Sequence, residues 1–128
     1  MSIRIVRLGS PRQAHEGLRI GAVRRPPRGV PKSDYAARDW FDVWYPELAP
    51  SAETLKLHRA ATTPAQFAAF LKRYRAEMNE PATQRTIELL AALSRHTDFS
   101  LGCYCEDDAH CHRSVLRALL ADSGAHFA

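Results

Sequence analysis

The sequence predicts an α/β fold: a small, mainly parallel or mixed sheet covered by helices, in one three-layer-like domain spanning residues 1–128. Three observations carry this expectation. Short segments with an apolar period of two stand near the start and toward the end of the chain. Helical periodicities occupy the stretch between them, and the late strand runs through a loop into a final helix. With 128 residues the chain is long enough to bury a core without covalent staples.

The elements follow in order. Ile3, Ile5 and Leu8 alternate with Arg4 and Arg7, which predicts a strand over 3–8, ended by Gly9 and Pro11. Residues 18–23 read as a second strand, expected beside the first. Residues 35–45 carry Trp40, Phe41 and Trp44 at i, i+3 and i+4 spacings, which predicts a helical face, with a short hidden strand near 39–45 as the other reading. Ser51 is a capping residue for a helix ending near Ala60. Thr63 before Pro64 starts a helix to about Met78, with Phe67, Phe70, Leu71 and Tyr74 inward. A third helix is expected over 83–95. Phe99, Leu101, Cys103 and Cys105 share one strand face by the period of two. A last helix over 112–120 buries Val115, Leu116, Leu119 and Leu120, and Gly124 stops it.

Bulk composition narrows the classes. A 45% hydrophobic and 25% charged chain is an ordinary globular sequence, and the net charge of +4 permits anionic partners without naming nucleic acid. Three cysteines within nine residues do not form a secreted disulfide framework, so a cytoplasmic location is expected. The N-terminus lacks the apolar core of a signal peptide and no run is long enough for a membrane span, so no membrane partner is expected.

Chemistry concentrates in two stretches. Residues 101–116 hold all three cysteines, two of the six histidines (His110 and His112), three acids and Arg113. Residues 24–32 hold four cations, three prolines and one glycine, which predicts an ordered basic loop rather than a helix. Arg24, Arg28 and Lys32 suit phosphate or carboxylate, because the guanidinium fork bonds two oxygens at once.

Several readings stand side by side. The first is an anion pocket in which Arg24, Arg28, Lys32, Arg113 and Ser114 hold a phosphate-bearing small molecule or a nucleic-acid end, and it uses the most residues with the fewest assumptions. Processing of that ligand would assign Cys105 or Cys111 as the thiol, Glu106 as acid or base and His112 as a base. The second is a zinc-stabilised interaction or nucleic-acid-binding module using Cys103, Cys105, Cys111 and His110 or His112. Two features oppose it: strand residues i and i+2 lie well apart, and adjacent Cys111 and His112 rarely ligate one ion without strain. The site expected from spacing therefore contains no metal, and no cofactor follows from the sequence. The third is a structural protein, with Cys103 in the core and the acids solvating a turn. The spacing of cysteine and arginine matches neither phosphatase nor rhodanese loops.

Gly17-Leu-Arg-Ile20, Arg24, Pro27-Arg-Gly29 and Lys32 resemble the signature of the YeaO-like proteins of the DUF488 group. The resemblance continues through Trp44, Glu47, Pro50-Ser51, Leu55, Lys56, Phe67, Tyr74 and Glu77. Cys105-Glu106 and Cys111-His112-Arg113 are similar to the ending of the wider group, whereas Val23 and Pro26 depart from the YeaO-like loop. The resemblance implies a small bacterial cytoplasmic α/β protein and supplies no settled activity.

Overall fold

The computed structural model describes residues 1–105 and 111–128. Four parallel strands form the sheet: β1 (Ile3–Arg7), β2 (Leu18–Gly21), β3 (Val43–Trp44) and β4 (Phe99–Cys103), in the order β1-β4-β2-β3. The first two strands are therefore not neighbours. β4 lies between them, with Ile5 and Ile20 both in register with Leu101. The expected pairing of β1 with β2 fails because a parallel neighbour can come from anywhere along the chain, whereas the apolar alternation of a strand records only its faces.

The helices are α1 (Ala52–Ala60), α2 (Pro64–Met78), α3 (Pro81–Leu93) and α4 (His112–Asp122). Their starts follow local chemistry. Ser51 accepts from the Thr54 amide at α1, and Thr63 with Gln66 closes a reciprocal capping box at α2. α3 begins at Pro81 rather than Thr83, since proline without an amide proton costs nothing in a first helical turn. Gly124, at φ +86°, follows the end of α4.

The larger core lies between Ile3, Ile20, Phe99 and Leu101 of the sheet and Tyr74, Met78, Ile87, Leu90, Val115, Leu116 and Leu120 of the helices. The tyrosine hydroxyl of Tyr74 donates to the Leu48 carbonyl at 2.7 Å, which satisfies its buried polar end.

The reverse face of the sheet is roofed by irregular chain. Residues 35–45 do not form the expected helix: Asp39 adopts φ +61°, and β3 follows at Val43. The Asp39 carbonyl accepts from both Gly9 N–H (2.8 Å) and Arg19 Nη1 (2.7 Å), which fixes that turn. Phe41 then lies directly over Gly21, where an added Cβ would come within 2.4 Å of its ring. The aromatic spacing thus serves a packed turn, not a helix stripe. Beneath it, Arg19 is fully buried and pairs in two bonds with Glu16, at 3.0 and 2.8 Å.

Candidate functional site

Parallel strands bring their C-terminal ends to one edge, the usual place for a site in an open α/β sheet. Here Arg7–Gly9 leaves β1, Val23–Arg25 follows β2, and Cys103–Cys105 leaves β4. Together they line a cleft of about 1130 Å³. Arg24 and Arg28 of the basic loop reach it, and so do Arg7, Arg25 and Arg59, so five arginines line it. No carboxylate lines it among the described residues. Trp40, Phe70 and Tyr104 provide aromatic walls.

The arginines are held differently. Arg24 is half-buried and donates to the carbonyls of Pro50 (2.9 Å) and Ala49 (3.3 Å), which orients it along the wall. Arg25, Arg28 and Arg59 are exposed and, among the described residues, have no ion-pair partner. Arg59 and His58 arrive from the last turn of α1. Glu77 fixes the start of that helix by accepting from Ser51 N–H (3.0 Å) and the Thr54 hydroxyl (2.9 Å).

At the cleft floor the thiols converge. β4 ends at Cys103 and the chain bends at Tyr104, so Cys105 leaves the strand. Cys103 and Cys111 are buried, none of the three cysteines is in a disulfide, and the Cys103 and Cys111 Sγ atoms lie 2.8 Å apart. Cys111 Sγ is 3.6 Å from His112 Nδ1. His112 Nε2 lies 2.8 Å from the Ala22 carbonyl, which can only accept, so Nε2 carries a ring proton and Nδ1 faces the Cys111 thiol. The donor atoms of Cys103, Cys111 and His112 all fall within 4.8 Å of one another and are the group able to hold a metal ion among the described residues.

Hydrogen bonds from Cys103, then from Cys111, with the Arg113 charge nearby, bring the Cys105 thiol well below its ordinary value against the cost of burial. The hydrogen bond to Cys103 likewise lowers Cys111. Cys103 is pushed far up by its bonds to Cys105 and Cys111 and by burial. Burial also raises the Tyr104 hydroxyl.

The residues singled out in the sequence divide accordingly. Arg24, Arg28, Cys105 and His112 line the cleft. Lys32 does not, standing instead in a smaller depression beside Tyr35 and Trp44. Arg113 is buried, donating from Nη1 to the Val6 carbonyl at 2.7 Å and from Nη2 to that of Cys105, so it braces the ends of β1 and β4. The Ser114 hydroxyl donates to the Cys111 carbonyl at 2.9 Å within the first turn of α4. Glu106 and His110, with Asp107 and Asp108, lie outside the described residues. Arg7, Arg25, Arg59, His58 and Tyr104 were not singled out. For Arg7 the signal was its place at the C-terminal end of a strand and for Arg25 its place in the basic loop after one; for Arg59 and His58 no local signal exists.

A family model described as the active DUF488-N3 subclade matches residues 3–124. No curated protein and no solved structure matches the chain. The match spans the four strands described and all but the first two and last four residues of the chain, cleft and thiol cluster included. The chain belongs to the DUF488 family, and within it to the N3 subclade.

Proposed function

We propose that this protein binds a phosphate-bearing ligand of nucleotide type, a nucleotide or a nucleic-acid end, in the cleft at the C-terminal edge of its sheet. The observation that carries the reading is a cleft lined by five arginines and, among the described residues, no carboxylate. Arg25, Arg28 and Arg59 are exposed on its walls, and a phosphate accepts paired bonds from such guanidinium forks. Trp40 and Tyr104, both partly exposed, suit the other half of such a ligand, because a base stacks on or against aromatic rings. The volume suits a small ligand as well. Cys105 stands on the same wall, where a bound phosphate group would meet it. The description of the matched subclade as active accords with a working site.

Thermal unfolding tests the reading. Adenosine monophosphate or a 5′-phosphorylated single strand at a hundred times Kd stabilises the fold by about 2.7 kcal/mol, a rise of several degrees in Tm. Arg28→Ala with Arg59→Ala removes the rise and leaves the ligand-free Tm in place. No shift with either ligand, or the same shift in the double variant, overturns the reading.

A further inference from the structure

We propose that Cys103, Cys105, Cys111 and His112 form a zinc site at the floor of the cleft. The proposal rests on donor chemistry and geometry and stands apart from the phosphate-bearing ligand.

Zinc takes sulfur and imidazole nitrogen in a tetrahedron, at about 2.3 and 2.0–2.1 Å. Such a tetrahedron separates a sulfur from a nitrogen by about 3.6 Å and two sulfurs by about 3.8 Å. Cys111 Sγ and His112 Nδ1 already stand 3.6 Å apart. Cys103 Sγ and Cys111 Sγ, at 2.8 Å, have to open by about 1 Å to admit the ion. That separation is also well beyond the roughly 2.05 Å of a disulfide bond.

The two features that oppose zinc in the sequence are both resolved. Cys105 is not a regular strand residue, since the chain bends after Cys103; its thiol lies outside the 4.8 Å group formed by Cys103, Cys111 and His112 and closes in as the fourth ligand when the ion binds. Adjacent Cys111 and His112 reach one point because the backbone changes between them. Cys111 is extended (φ −102°, ψ 149°) and His112 is the first residue of α4. The usual divergence of neighbouring side chains is thereby removed.

His112 is also oriented as a ligand requires. Metal-bound histidines donate their remote ring N–H to a carbonyl or carboxylate, which fixes both tautomer and ring angle. His112 does this with Ala22, at 2.8 Å. The set is soft and sulfur-rich, which favours zinc over magnesium or calcium. Cys103, Cys111 and His112 are buried and Cys105 is the least buried of the four. Cys105 is therefore the ligand that a group entering from the cleft would meet. On binding, each thiol that still holds a proton passes it to solvent, the sulfur lone pairs form the Zn–S bonds, and no oxidation state changes.

The test is metal analysis of the full chain purified without added metal or chelator, with thiol alkylation of the same sample. The expected result is about one zinc per chain. All three cysteines resist alkylation until a chelator is added. Cobalt in place of zinc gives sulfur-to-metal charge-transfer absorption and the intense visible bands of a tetrahedral site. Cys105→Ser retains metal and lowers the charge-transfer band by about a third, whereas Cys111→Ser and His112→Ala lose at least about tenfold in zinc affinity. Alkylation that zinc does not slow in the wild-type chain overturns the proposal, and needs no variant to fold. So does a Cys103–Cys111 disulfide in the metal-free protein as isolated, or zinc affinity unchanged in both variants.

Discussion

The Tyr104 hydroxyl donates to the carbonyl oxygen of Arg25 at 2.9 Å, across 79 residues of sequence. This bond ties the exit of β4, where the thiols are, to the basic loop that follows β2. Trp40 meets the Tyr104 ring edge-on at a centroid distance of 5.8 Å and holds it in place. Tyr104→Phe keeps the ring and removes the tether. It weakens binding of adenosine monophosphate about 2- to 10-fold, the worth of a single neutral hydrogen bond, with little change in Tm. Calorimetric titration beside thermal unfolding separates the two effects.

The exposed arginines set the salt dependence of binding. For a 5′-phosphorylated single strand, each phosphate contact contributes about −0.7 to the slope of log K against log salt. Arg25→Ala, Arg28→Ala and Arg59→Ala each make the slope shallower by about that amount, as fluorescence anisotropy across a salt series measures. Lys32→Ala leaves the slope alone, because Lys32 lies outside the cleft.

Arg19 governs stability on the reverse face. Its guanidinium is fully buried, pairs with Glu16 and also donates to the carbonyls of Ser10 (2.9 Å) and Asp39 (2.7 Å). Arg19→Ala leaves the Glu16 carboxylate buried alone and costs about 3–5 kcal/mol, read as a lowered urea midpoint. Adding Glu16→Ala returns part of that loss, since the stranded charge is gone.

Asp42 gives the fold an acid limit. Burial works to raise its carboxyl, but two bonds from Arg12, at 2.9 and 3.1 Å, and one from the Arg19 amide, at 2.8 Å, hold it below its ordinary value. A carboxyl lowered in the folded state favours folding above its unfolded pKa, near about 3.9, and that contribution disappears as pH falls through the folded value. Asp42→Asn therefore costs about 0.5–1 kcal/mol at neutral pH, as an exposed and solvent-screened pair does, and less as pH falls below about 4. Urea unfolding at pH 7 and pH 3 reads the difference.

What the sequence revealed follows from the range of each interaction. Ser51, Thr63 and Pro64 announce helix starts because caps act within four residues. The family resemblance pointed to the DUF488 group, and the match over residues 3–124 places the chain in its N3 subclade. The place of β4 between β1 and β2 was invisible, because no local pattern records which strand a strand pairs with. The aromatics of 35–45 misled for a related reason. Phe41 is placed by Gly21 and Asp39 by Arg19, partners about 20 residues away. The basic loop and the thiol stretch were legible as chemistry. That Arg59 joins them depends on α1 docking through Glu77 on α2, and that Arg113 turns inward depends on the carbonyls of Val6 and Cys105.

Titrating the wild-type chain with adenosine monophosphate and with adenosine under identical conditions tests the arginine cleft most directly. The arginine cleft predicts saturable binding of the phosphate ester and at least about tenfold weaker binding of the nucleoside, the difference made by charge-assisted bonds to one phosphate. Equal affinity for the two, or binding of neither, would contradict it.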